Sequence, residues 1–276
     1  MGVGGLGDIA SGVMMPLYYG VTAILLAWHG LLDQFLPQDS GWTWVLAIVG
    51  VTVTIRVLLI PLSVQNIKSR RAMQALQPRI KELQEQYGHD RERLTQEQMK
   101  LWKESGTNPF ASCLPLLLQM PILFALFRVI ELAASFGADG GARGFLSPAD
   151  AESLKEAVFA GSRVGDTLMT FEPVTFAESP STQILAVLFI VIMSATQFYT
   201  QWQIMRSVPP DAADGPYEQQ QRVLLYALPV VFAGGGLAFP LGVLVHWVTW
   251  NVWTMAEQSL AIRHDPGPPA SGGMGA

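Results

Sequence analysis

Apolar runs long enough to cross a lipid bilayer constrain this chain more than any other feature. A helical crossing takes roughly 20 mostly apolar residues. Five stretches are of about that size: 42–62, 110–132, 182–204, 223–239 and 241–262. Only 14% of the residues are charged, where soluble domains carry about a quarter. The chain therefore reads as an all-α polytopic membrane protein. A sixth stretch, 15–36, holds Trp28, His29 and Asp33 in its second half. That polar content suits a helix lying in the interface plane at least as well as a crossing. Residues 1–14 read as a flexible N-terminus without a secretory leader, and the Pro/Gly-rich 263–276 as a disordered tail.

The distribution of Lys and Arg sets the expected orientation. The connection 63–108 carries Lys68, Arg70, Arg71, Arg79, Lys81, Arg91, Arg93, Lys100 and Lys103, whereas in 133–181 Arg143, Lys155 and Arg163 are outnumbered by acids. The first connection is expected in the cytoplasm and the second outside. Arg206, Arg222 and Arg263 then place the next connection and the C-terminus inside. Within 63–108, Ile80, Leu83 and Tyr87 fall at helical spacing, "GHD" interrupts, and Leu94, Met99 and Trp102 resume. The pattern predicts an antiparallel helical hairpin. A connection of this length is more often a functional arm than a passive linker. The 133–181 connection predicts only a short helix near 151–159.

One residue stands out within the first core run, "VTVTIRVLLIPLS". Arg56 lies roughly 21 Å from Trp42 and about 13 Å from Gln65 along a helix, inside the hydrocarbon zone but nearer the cytoplasm. Its insertion costs at least ~2.5–3.5 kcal/mol. The runs contain no acid except Glu131 and Glu257, near their ends, so water and neutral dipoles are expected to solvate the guanidinium. Thr52 and Ser63, at i−4 and i+7, share its helical face. Gln119, Thr196, Gln197, His246, Thr249 and Asn251 lie at comparable depth in other runs. Each could equally bond across packed helices. Together they suggest a wet cavity with a cation in it, suited to a transient anionic partner. Two uses follow: a carrier or channel for a small anion, or a landing site for acidic or polar parts of another polypeptide entering the bilayer.

The run "VLLIPLS", the segment "MQALQPRIKELQEQYGHDRERLTQEQMKLWKESGTNPFASCLPLLLQMPILFALFRV" and the late "FPLGVLVHWVTWNVW" resemble the YidC family of membrane protein insertases, in particular its shorter, actinobacterial-type members. The likeness runs from about residue 18 to 262. It implies five core spans around a hydrophilic groove open to the cytoplasm and to lipid, with 15–36 as an interfacial helix before the core. It places the groove arginine on Arg56 and groove-lining positions on Thr52, Gln119, His246, Trp247 and Asn251, and more loosely on Gln197. It also implies action on nascent membrane proteins, alone or with the Sec translocon, in a bacterial plasma membrane, with a functional monomer and no nucleic-acid specificity. Three departures stand out. There is no large external domain, His246 and Trp247 occupy positions that are often tyrosine, and the tail lacks the basic extension used for ribosome contact.

No catalytic residue, cofactor or metal site is expected. The lone cysteine, Cys113, excludes an internal disulfide. His246 is the only mid-run histidine, and no nucleophile elbow accompanies it. A transporter would more often show repeats and a broken helix pair.

Overall fold

A computed structural model describes residues 3–106, 114–140, 142–171, 174–206 and 216–264. Cys113 and the 265–276 tail lie outside them. The chain is mostly helical: α1 Val3–Leu32, α2 Gly41–Leu58, α3 Ile60–Ala75, α4 Gln77–Tyr87, α5 Arg91–Glu104, α6 Leu114–Phe136, α7 Pro148–Glu156, α8 Pro180–Arg206, α9 Pro216–Gly236 and α10 Leu241–His264. Four short strands interrupt the helices between α7 and α8: β1 Val158–Phe159, β2 Ser162–Arg163, β3 Met169–Phe171 and β4 Val174–Phe176.

Among the described residues, four helical segments are long and apolar enough to cross a membrane: Met14–Leu32, Gly41–Leu58, Leu118–Asp139 and Pro180–Arg206. Helix α9 contributes a shorter apolar stretch, Leu225–Gly236. Helix α10 has the length, but His246, Asn251, Gln258 and Glu257 interleave its apolar residues. The expected first core span, 42–62, is two helices. Pro61 has no N–H to give the carbonyl four residues earlier, so α2 stops at Leu58 and α3 starts at Ile60. Helix α1 starts at Val3, well before the expected residue 15, and runs through Pro16.

The fold divides into two compact units. The first comprises Met1–Leu58, Leu118–Ala195 and Val230–Val252. Trp44, Ile48 and Val51 of α2 and Leu126, Val129 and Ile130 of α6 are fully buried there, and Leu244 of α10 packs with Leu168, Ala186, Ile190 and Leu241. Gly242 allows the approach of α10. A Cβ there would sit 2.8 Å from Val164, 3.0 Å from Ile48 and 3.1 Å from Ile130. Helix α1 packs on α2 through Trp28, whose indole lies against Gly50 and donates to Thr54 Oγ at 2.9 Å.

The 137–179 connection belongs to the same unit and is ordered by local rules. Ser147 and Asp150 form a capping box at the start of α7, satisfying N–H groups that a helix start otherwise leaves open. Strands β1 and β2 turn through Ala160 and Gly161, both at positive φ, the conformation a two-residue hairpin loop demands. Strands β3 and β4 pair antiparallel. The connection also caps the α9–α10 turn. Leu241 N donates to Asp166 O and Gly242 N to Val164 O, each at 2.8 Å, and Met169 N donates to Leu237 O at 2.8 Å. The Asp166 carboxylate accepts from Arg163 N at 3.0 Å and from Thr182 Oγ at 3.1 Å, tying β2 to the first turn of α8.

The second unit comprises Leu59–Leu117, Thr196–Pro229 and Trp253–Ala276. Pro78 lies in the first turn of α4, and Asp90 caps α5 by accepting from Arg93 N at 3.1 Å. Helices α4 and α5 contact each other across the short turn between them. Met73 and Ile80 are buried, whereas α5 buries none of its described residues. Gln203 of α8 donates to Ser259 Oγ of α10 at 3.1 Å.

Candidate functional site

The polar residues singled out by sequence do not act as one set. Three of them, from three helices, form a continuous hydrogen-bonded chain in the first unit. His246 of α10 is 1% exposed. Its Nδ1 lies 2.7 Å from Thr52 Oγ and its Nε2 lies 2.9 Å from Gln119 Nε2. The direction of each bond follows from donor counting. The Thr52 hydroxyl has one hydrogen and gives it to Ile48 O at 2.9 Å. With that bond kept, the hydroxyl accepts from His246 Nδ1–H and Nε2 accepts from the Gln119 amide. Gln119 Oε1 is left buried with no hydrogen-bond partner among the described residues.

Arg56 lies one helical turn from Thr52 and is 5% exposed. Its guanidinium carbon sits 3.4 Å from the centroid of the Trp250 ring, and Nη2 donates to the Trp250 carbonyl at 2.9 Å. A desolvated cation–π contact contributes roughly 2 kcal/mol. This backbone carbonyl and indole face, both supplied by α10, are two of the groups that receive the guanidinium. Sequence reasoning passed over Trp250, although it lies four residues after His246 and therefore on the same side of α10.

Other candidates fall elsewhere. Asn251 is buried and its Nδ2 donates to Met193 O of α8 at 3.3 Å, an interhelical bond. Trp247 is turned about 100° from His246 around the helix, and its ring meets Phe232 and Phe239 at centroid distances of 4.8 and 5.4 Å. Thr249 bonds to Val245 O of its own helix. Ser63, in the first turns of α3, and Gln197, in α8, are half-buried residues of the second unit. A second arginine, Arg128 of α6, lies in a candidate span and pairs locally with Glu131 three residues on. It was not singled out from the sequence.

Comparison with known proteins places this arrangement in a family. Residues 35–266 match the family model described as 60Kd inner membrane protein. A protein of Streptomyces avermitilis named membrane protein insertase YidC is 41% identical over 251 residues, covering 90% of this chain and 58% of that protein. The chain thus spans little more than half the length of that relative. A Tropheryma whipplei protein of the same name is 33% identical over 274 residues, covering 96% of this chain and 88% of its own. One from Mycobacterium tuberculosis is 30% identical over 261 residues, covering 88% and 70%. The chain belongs to the 60Kd inner membrane protein family, and within it to the membrane protein insertases called YidC.

Proposed function

We propose that this chain receives nascent membrane-protein segments at the Arg56 cluster and releases them into the bilayer. The observation that carries the reading is a buried guanidinium in the last turn of an apolar helix, beside a polar chain drawn from α2, α6 and α10. A positive charge at this depth attracts acidic or polar tails, and neutral polar partners shorten the hydrocarbon such a tail must cross. The barrier falls without covalent chemistry, so no catalytic residue is invoked. The apolar part of the incoming segment needs a lipid-facing surface. Met120 and Phe124 of α6 and Ile184, Val187, Leu188 and Val191 of α8 are exposed and supply one.

In this reading α2, α6, α8, α9 and α10 are the five core crossings, and Thr52, Gln119 and His246 line the landing site beside Arg56. The basic α3–α5 segment is a cytoplasmic arm and the C-terminus is cytoplasmic. Helix α1 lies along the outer interface. Phe145 N of the 137–179 connection donates to Thr22 Oγ at 3.0 Å, and His29, two turns further on, stacks on Trp44 near the start of α2. The insertase works as a monomer, alone or beside a Sec translocon.

Photocrosslinkers placed at Thr52, Gln119 and Asn251 test the proposal. Each is expected to capture a stalled nascent chain carrying one transmembrane segment. Absence of crosslinks from all three, together with ion or solute flux through reconstituted liposomes, overturns it in favour of an anion carrier.

A further inference from the structure

We propose that Trp250 is a positioning residue for the insertion reaction: it shields one face of the Arg56 guanidinium and fixes its plane, so that acid-bearing segments meet the charge edge-on. This rests on the reading of Arg56 as the charge that docks incoming acids. Three observations carry it. The guanidinium carbon stands 3.4 Å from the ring centroid, the separation of flat stacking rather than of passing contact. The same residue holds the group a second time, through its own carbonyl at 2.9 Å. The depth is wrong for an interfacial anchor. Trp250 lies about 14 Å from the start of α10 at Leu241 and about 21 Å from its end at His264, whereas belt tryptophans sit at span ends.

A stacked guanidinium keeps its N–H groups in its own plane, parallel to the ring, so a carboxylate approaches along that plane. Without the ring, the face it covers is opened. Any substitution at 250 retains a backbone carbonyl, so side-chain variants isolate the stacking face.

The test uses the full chain in proteoliposomes, as wild type, Trp250→Phe and Trp250→Leu. Labelling of Arg56 by phenylglyoxal is followed by mass spectrometry, with Arg206 as internal reference. In parallel, insertion of a single-span protein with an acidic N-tail is compared with the same protein bearing a neutral polar tail. Loss of the stack is expected to raise Arg56 labelling in the Leu variant by roughly 5- to 30-fold and to lower the acidic-to-neutral preference. The Phe variant, which keeps an aromatic face, is expected to recover most of both. Wild-type labelling of Arg56 in the Leu variant overturns the proposal. So does equal loss of both substrates in the Phe and Leu variants, which would make Trp250 a packing residue. Failure of the underlying reading is separable, because the wild-type protein would then show no acid preference.

Discussion

Replacing Arg56 with alanine tests the central charge directly, because its effects on function and on stability are expected to diverge. An arginine costs ~2.5–3.5 kcal/mol at the centre of a membrane helix on insertion scales, and Arg56, in the last turn of α2, no more than that. Two of its contacts offset the cost. The stack on Trp250 contributes ~2 kcal/mol when desolvated, and the bond from Nη2 to the Trp250 carbonyl, being charged, ~1.5–3 kcal/mol. The sum nearly cancels, so Arg56→Ala is expected to fold with stability close to wild type. Its effect on an incoming carboxylate does not cancel. Loss of one charge-assisted hydrogen bond, ~1.5–3 kcal/mol, corresponds to roughly 10- to 150-fold weaker capture of the acidic tail. The assay is the initial rate of insertion into proteoliposomes for a single-span substrate with either an acidic or a neutral N-tail. The variant should be slowed strongly on the first and weakly on the second, with an unchanged unfolding temperature in detergent. Arg56→Lys should fall between, since an ammonium keeps the charge but not the flat stack. Wild-type rates on the acidic substrate, or equal slowing on both, would refute the electrostatic role.

Other perturbations follow from the packing. His246→Leu removes the acceptor for Gln119 and strands that buried amide at ~1–3 kcal/mol, while Thr52 keeps its bond to Ile48 O; thermal unfolding in detergent should shift down, and an unshifted transition would show that the chain of bonds is not formed. Gly50→Ala puts a Cβ into the Trp28 ring and should cost ~1–3 kcal/mol as overpacking; in a Trp28→Ala background the same change should cost much less, and an equal cost in both backgrounds would refute the contact. Asp166→Ala removes the acceptor of Arg163 N and Thr182 Oγ, so protease should cut the 160–171 stretch faster while leaving the α4–α5 turn at its wild-type rate.

Much of this was legible in the residues. Apolar length marked α2, α6 and α8, and Pro/Gly breaks bounded the α4–α5 segment. Arg56 stood out because nothing else in its run was charged. Arg128 did not, because Glu131 three residues on gives it a local partner and the pair reads as one more polar end of a span. The strands between α7 and α8 escaped notice because each is two or three residues long, too short for an alternation to register.

Helical period states which residues of one helix share a face, and on that basis Thr52 was correctly set beside Arg56 and Trp250 could have been set beside His246. It does not state which faces of different helices meet. That depends on the rotation and approach of each helix, which small residues such as Gly50 and Gly242 permit and which the packed core around Ile48, Ile130 and Leu244 fixes. By itself the sequence determined a helical membrane protein with one costly cation in its first core run. Only the tertiary structure decided that α10 presents an indole and a carbonyl to that cation, a histidine to Thr52 and Gln119, and Trp247 to a separate aromatic cluster. The physical reason is that packing selects which helix faces meet, and a linear pattern carries no record of that selection.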